Sequence, residues 1–533
     1  MSAFEVKLQN VALMEAERGY DVTIVCTSDA QQSAYWQRRL QSQKGVVVPA
    51  ASTVLAVDED WAGGAGNFLG TLYAWRKACK LHMELNGRDL VKELADGASV
   101  ALFHTAGKGT RLAPLPGSEN NNKPGVKLPA PGAPSILECV IRQTGAYASS
   151  RRKRLSVFWG DQVFVPSVAA SYNAQHHADI VCALGPMPSA EEWARKGLEK
   201  YGLIAARSDN SVAAMLEKVS HATATETVSR LEGVTNVGTS LGSFSLSSAF
   251  LVALDTSFAK ELEAREGKMD SDPHVWMPMT LEEAAYAALM VQKGLFDEAG
   301  ARQHHQRICA LISGFDKSSD GLTGGMFGAV TVGQESSWWD YGLLKLYARN
   351  SLLLTEASED SKLARAFFGI KEGSRVSSDC RLGDCTVDPA SVVSGGCNAN
   401  SGAVTGSALV NVSASELTAD TAVLVNVFAK KVVAPKGSVA YNVLETSEEG
   451  LVLQENEVRV GIFTLDAARP YFEIRSNREE IDGGKVFKER VCGNAFSFQE
   501  VYDLNAGVDV TACAAAAASK SQAFVETVFP SGR

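Results

Sequence analysis

No run of roughly eighteen apolar residues, the length a membrane-spanning helix needs, occurs in the chain. The first ten residues, MSAFEVKLQN, also lack the basic-then-apolar layout of a secretory leader. Both absences predict a cytoplasmic protein with no membrane partner. Metal-binding cysteine motifs are missing too. Ten cysteines are spread from Cys26 to Cys513 without a CxxC pair, and the closest two, Cys380 and Cys385, lack zinc-ligand spacing, so all read as reduced structural thiols. Histidine is scarce, at eight residues; His176 with His177 and His304 with His305 sit in polar stretches that predict surface positions rather than a metal site. Neither GxxxxGK[ST] nor GxGxxG after a strand occurs, which removes support for a P-loop NTPase or a Rossmann dehydrogenase. Basic excess is also absent: 51 Lys and Arg against 61 Asp and Glu give a net charge of −10, which argues against nucleic-acid and anionic-membrane binding.

What is present organises itself around residues 100–129, VALFHTAGKGTRLAPLPGSENNNKPGVKLP. An apolar run of strand type, 100–103, turns abruptly into Ala106, Gly107, Lys108, Gly109, Thr110 and Arg111, with Lys123 and Lys127 following. Two glycines let successive backbone N–H groups converge on one point, a nest that binds oxyanions without a side chain. Arg111 adds a planar fork for phosphate oxygens, and a lysine adds a mobile point charge. At 533 residues and 45% hydrophobic content the chain is long enough for two or three domains.

The GKGTRL string with its Lys-Pro and Lys-Leu-Pro segments resembles the signature of the sugar-1-phosphate nucleotidyltransferases. The resemblance extends downstream in family order. A strand at 155–159 ends in Gly160-Asp161; Tyr201-Gly202 precedes Glu217-Lys218; Asn236-Val237-Gly238 follows; and Trp338-Trp339-Asp340-Tyr341-Gly342 is similar to the family's W-x-D-x-G segment. Upstream, strands at 21–26 and 52–57 and a glycine cluster, Gly63, Gly64 and Gly66, lead into Gly70-Thr71-Leu72, which resembles the loop that lies beside the nucleotide base and here opens a helix. In the family that loop follows the signature; here it precedes it. The expected fold is therefore an α/β, Rossmann-like mixed sheet of the nucleotidyltransferase type, permuted so that residues 1–86 supply strands and the base-side loop, which requires strand 21–26 to lie in the same sheet as 100–103. This N-terminal part also bears a looser similarity to fucose-1-phosphate guanylyltransferases.

From Ser374 onward helical patterning stops, and single apolar residues (Val376, Leu382, Val387, Val393, Val404, Val410) recur at steps of five or six, doubled between Val393 and Val404 where small residues intervene, with turns between. That repeat predicts a parallel β-helix, an irregular β-sandwich being the alternative. A left-handed β-helix often follows the catalytic domain in the resembled family. The expected division is residues 1–370 as the catalytic domain and 371–533 as β-helix, further strands and an Ala-rich helix from 512 to 528.

The resemblance implies transfer of a nucleotidyl group, from UTP or GTP, to a sugar 1-phosphate with Mg²⁺ as cofactor and pyrophosphate as co-product. It implies Ala106, Gly107, Lys108, Gly109, Thr110, Gly70 and Thr71 on the nucleotide and Arg111 on the leaving pyrophosphate. The lysine beside the α- or β-phosphate is either Lys123, which keeps the Lys-Pro pair, or Lys127, which keeps the distance to the helix at Ile136 and is slightly preferred. Gly202, Glu217, Lys218 and Asn236 are implied on the sugar phosphate, and Asp161 and Asp340 on the metal, because Mg²⁺ takes one or two carboxylates plus phosphate oxygens. Adjacent strand residues face opposite sides, so Glu217 and Lys218 can share a ligand only if the backbone bends there. A nucleotide-sugar-binding regulatory subunit is the competing reading, and the β-helix is expected to serve interaction or self-association rather than acyl transfer.

Overall fold

β-Branched and apolar residues build two parallel, adjacent strands, β1 (Val22–Thr27) and β2 (Thr53–Asp58). On its other side β1 pairs, again in parallel, with β3 (Ser99–His104), Val22 opposite Val100 and Cys26 opposite His104. Strand 21–26 is thus in the same sheet as strand 100–103. All three strands are buried on both faces, and parallel strands covered in that way read in sequence as continuous apolar runs. The computed structural model describes residues 1–17, 19–371, 373 and 375–529; Arg18, where the sequence pattern from Val11 predicts a helix to end, Ser374 at the expected change of texture, and the tail 530–533 lie outside the described residues.

The remaining strands of the N-terminal part are β4 (Arg154–Trp159), β5 (Gln162–Val165), β6 (Ala178–Gly185), β7 (Gly202–Arg207), β8 (Val212–Glu217), β9 (Val234–Ser247), β10 (Phe327–Thr331) and β11 (Ser337–Asp340). The main sheet runs β10-β6-β9-β4-β3-β1-β2, with β9 antiparallel to both neighbours and β7 and β8 added beside β9. The fold is α/β with mixed sheets. The helix Gly66–Asn86 covers one face, where Phe68, Leu72 and Trp75 join Ile24, Leu55 and Leu102 in one core. The helices Ala30–Ser42 and Ile136–Thr144 cover the other, packing Trp36, Leu40 and Ile141 with Val25, Val54 and Phe103.

A second, ten-stranded sheet follows, from Asp384 to Asn477, in which most pairings are parallel. Val392, Ala408, Val423, Val439 and Val458 sit in register, each beside the next. Val425, Tyr441 and Val460 belong to the same core as Ile136 and Phe103, so the two sheets are joined by shared apolar packing. The Ala-rich helix runs Val510–Val528. No helix among the described residues is long and apolar enough to cross a membrane.

The histidine pairs are a correction. His176, His177, His304 and His305 are all buried, the first two in the bend that enters β6 and the last two on the helix Glu298–Ser313. His304 and His305 meet the carbonyls of His274 and Leu281 at 2.7 and 2.8 Å, and His177 meets Ser247 Oγ at 2.8 Å. Polar sequence neighbours face outward around them and hide that burial from a window average. All ten cysteines are free thiols.

Candidate functional site

At the C-terminal ends of β2, β3 and β4 lies a cleft of about 540 Å³ bounded by Gly64, Gly66, Asn67, Thr105, Ala106, Gly107, Lys123, Asp161 and Asp270, among others. Open α/β sheets bind ligands at this edge. The 106–111 loop leaves β3 here. Gly107 (φ 123°) and Gly109 (φ 62°) occupy left-handed or related backbone space that glycine alone enters freely. The Gly107 N–H donates to Ser28 Oγ at 3.1 Å, while the N–H groups of Lys108, Gly109 and Thr110 find no protein acceptor among the described residues. Exposed donors of that kind in consecutive residues suit an anion.

The loop is clamped from two sides. A β-carbon on Gly109 would stand 3.1 Å from Lys123 Cδ, so the loop folds directly over the lysine stem. On the other side the Lys108 ammonium lies 4.8 Å from the Tyr502 ring centre. Three asparagines hold the segment between loop and lysine. Asn120 and Asn121 adopt positive φ, which asparagine tolerates better than most residues; the Asn121 side chain donates to Tyr502 O at 2.7 Å, and Asn122 Oδ1 accepts from Trp36 Nε1 at 2.9 Å.

Lys123 and Lys127, four residues apart, face different places. Lys123 is ion-paired with Asp161 inside the cleft. Lys127 turns the other way, to Glu119 Oε1 at 2.6 Å, where Glu119 also accepts from the Tyr441 hydroxyl of the second sheet. Burial works against the Lys127 ammonium, and Glu119 with Tyr35 more than reverses it, so its pKa ends above the ordinary value. The slight preference for Lys127 is therefore not matched by its position; Lys123 is the lysine in the cleft. A turn of 3₁₀ type at Lys123–Gly125 reverses the chain between them, which spacing in sequence does not disclose.

Asp161 and Asp340 come together through a two-stranded ribbon. β5 and β11 are antiparallel with Gln162 opposite Asp340, and the Tyr341 N–H donates to Asp161 O at 2.9 Å. The point a β-carbon would occupy on Gly342 is 2.9 Å from Asp340 Oδ1 and 3.1 Å from Asp161 Oδ2, so both carboxylates converge on a space that only glycine leaves open. Burial raises the pKa of Asp340 against the Gly342 N–H, Asp161 raises it further, and Lys123 and Arg111 oppose the rise. Arg111, Lys123, Asp161 and Asp340, from four separate segments, thus form one electrostatic cluster.

Glu217 and Lys218 also meet. Lys218, directly after β8, has φ 57°, and this bend turns both side chains to one side, where they pair at 2.6 Å. Gly202 lies opposite Glu217 in the β7–β8 ladder. Asn236 does not join them: it pairs with Ala206, four residues further along β7, roughly 13 Å away at strand rise. Gly70 and Thr71 are also set back from the cleft. The helix begins at Gly66 rather than at Gly70, so Gly64, Gly66 and Asn67 border the cleft, while Gly70 and Thr71 are buried in its second turn, against Glu59 and His104.

In sequence, Asp272, Pro273, His274 and Trp276 read equally as an inserted loop over a sugar and as a plain structural loop. Pro273, His274, Val275 and Trp276 are core, with Trp276 stacked 4.9 Å from Phe327. Asp272 instead faces the Glu217–Lys218 pair: burial and Glu217 push its pKa up to about 7, with Asp270 adding to the rise and Ser271 and Lys218 opposing it. The segment is a single turn of π-helix, Asp272–Trp276, which has no simple sequence signal. Because the folded-state pKa lies above the unfolded value, Asp272 favours the fold most at pH below about 4, and that contribution is lost as pH rises to about 7. Asp272→Asn is expected to gain melting temperature relative to the native chain at pH 8 but not at pH 4, measured by thermal unfolding at both; equal differences at the two pH values would refute the assignment.

No protein-family model matches the chain, and no curated protein does.

Proposed function

We propose that the protein transfers a nucleotidyl group from a nucleoside triphosphate, UTP or GTP, to a sugar 1-phosphate, as a permuted member of the sugar-1-phosphate nucleotidyltransferases. The observation that carries this reading is the convergence of Asp161 and Asp340 at Gly342, with Lys123 paired to Asp161 beside the glycine loop. Such transfer brings two anions together, so catalysis depends on positioning and charge neutralisation more than on acid–base chemistry. An oxygen of the sugar phosphate attacks the α-phosphorus, the bond to the bridging α,β-oxygen breaks, and pyrophosphate leaves with that electron pair.

In this reading the free N–H groups of Lys108, Gly109 and Thr110 hold the triphosphate oxygens, Arg111 faces the leaving pyrophosphate, and Lys123 turns from Asp161 to the α-phosphate. The converging hard oxygens of Asp161 and Asp340 fit Mg²⁺ in donor type and in the space left at Gly342. When bound there, Mg²⁺ would neutralise phosphate charge. Gly64, Gly66 and Asn67 form the base side, taking the place expected for Gly70 and Thr71. Glu217 and Lys218, linked to the cleft through Asp270, hold the sugar end.

The second sheet supports the β-helix part of the reading. Asn411, Asn426 and Asn442 stand at intervals of 15 and 16 residues, all with positive φ, and each donates its amide to the next or, at the end, to Ser118. Three faces of about five residues give that interval, the step seen in sequence. Permutation is supported by the parallel pairing of β1 with β3.

The test is pyrophosphate release with UTP, GTP, ATP and CTP against a set of common sugar 1-phosphates in the presence of Mg²⁺. Turnover is expected with UTP or GTP and one sugar. No turnover with any pair, together with saturable binding of a nucleotide sugar, replaces this reading with the regulatory one.

A further inference from the structure

On the face of the sheet covered by helix Gly66–Asn86, three unlike side chains meet. Cys26 is the fifth residue of β1, His104 is the last of β3 directly opposite it, and Glu59 follows β2 two residues after Val57, which is opposite Cys26 on the other side. Side chains on one face recur every second residue, so this register sends all three to the same side, at the same end of three adjacent strands. One donor atom from each lies within 4.8 Å of the other two. We propose that Cys26, Glu59 and His104 bind a thiophilic divalent cation of the Zn²⁺ class, separate from the Asp161–Asp340 pair.

The donor set fits that class. Thiolate, imidazole and carboxylate together select zinc-like ions, whereas Mg²⁺ prefers oxygen alone. A tetrahedral ion with bonds of about 2.0–2.3 Å holds its donors roughly 3.5 Å apart, so the trio closes by about an ångström on binding. Imidazole must be neutral to bind, and burial holds the His104 pKa down at about 4. Its tautomer is set from outside. Thr71 donates its hydroxyl proton to Asn67 O at 2.6 Å, so at 2.8 Å it accepts from His104 Nε2–H, leaving the Nδ1 lone pair free for an ion. A partner on the second ring nitrogen is the usual support of a ligating histidine. Glu59 is held in the same way, its Oε1 accepting from the Ala65 N–H at 3.0 Å.

Glu59 and His104 border the 540 Å³ cleft, while Cys26 is buried behind them. Three protein donors therefore leave the ion's fourth position directed at the cleft, open to an exchangeable ligand. On binding, the Cys26 S–H bond breaks, a sulfur–metal bond forms, and one proton passes to solvent, so affinity rises with pH.

Cobalt(II) is the probe, because thiolate ligation gives an intense charge-transfer band in the near ultraviolet and tetrahedral geometry gives strong visible bands. Titration of the reduced, full-length protein is expected to saturate at one equivalent, with the near-ultraviolet band absent in Cys26→Ser and affinity lowered at least about tenfold in His104→Ala and Glu59→Gln. Asp161→Asn should keep the full band, which separates this site from the carboxylate pair. Absence of a thiolate band in the native chain overturns the proposal without reference to any variant, and so does an undiminished band in Cys26→Ser.

Discussion

Lys123→Met is expected to lower pyrophosphate release by at least about a hundredfold with an unchanged melting temperature, and Lys127→Met to do the reverse. The two lysines are close in sequence and opposite in situation. Lys123 lies in the cleft on Asp161, under the 106–111 loop, and in the proposed reaction its loss removes a positive charge where two anions would meet. Lys127 supports the junction between the sheets. Its ammonium holds buried Glu119, its backbone N–H donates to the Tyr441 hydroxyl at 2.8 Å, and its carbonyl accepts from the Tyr347 hydroxyl at 2.8 Å. Methionine there leaves the Glu119 carboxylate buried without its cation, a change of about 3 kcal/mol. Thermal unfolding and steady-state kinetics on both variants check the pair. A loss of turnover in folded Lys127→Met equal to that of Lys123→Met would contradict the division.

The second large effect is expected at a residue with no functional side chain. Gly342→Ala places a methyl group 2.9 Å from Asp340 Oδ1 and 3.1 Å from Asp161 Oδ2, closer than such contacts allow, so the carboxylates must separate. Gly342 does not adopt positive φ, so alanine costs little in the backbone, and the effect is read on the acids alone. Activity should fall about a hundredfold or more, toward that of Asp161→Ala and Asp340→Ala, and the Mg²⁺ concentration for half-maximal rate should rise. The readout is a Mg²⁺ titration of pyrophosphate release. A variant with native rate and native Mg²⁺ dependence would falsify the metal role of the pair.

Much of this arrangement was legible because it lies at the ends of buried parallel strands. β1, β2, β3 and β4 are apolar runs with glycine or polar residues at their ends, and the loop after β3 and the carboxylate after β4 follow from that grammar. Glu217 and Lys218 pair, as adjacent strand residues can only where the backbone bends, and Lys218's positive φ is that bend. What escaped depends on short irregular geometry. A single 3₁₀ turn separates the paths of Lys123 and Lys127; a helix begins one turn early and buries Gly70 and Thr71; a four-residue offset along β9 sets Asn236 apart from Glu217 and Lys218. The Cys26–Glu59–His104 trio could not be seen by spacing, since its members come from three strands and only their shared register unites them.

The clamp on the 106–111 loop has a consequence for how the chain is made. Asn120 and Asn121 reach Asn505 and Tyr502, contacts spanning 385 and 381 residues, and Gly483 and Gly484 pack against Thr110 and Arg111. During synthesis the loop and its lysine leave the ribosome early, yet the groups that fix their shape arrive some four hundred residues later. The first sheet can pair its strands co-translationally, but contacts this distant close last. The nascent protein therefore completes its first sheet, whose last strand ends at Thr331, with its loop still unbraced, and the same late contacts that complete the loop also tie Tyr502 and Asn505 to the segment between loop and lysine.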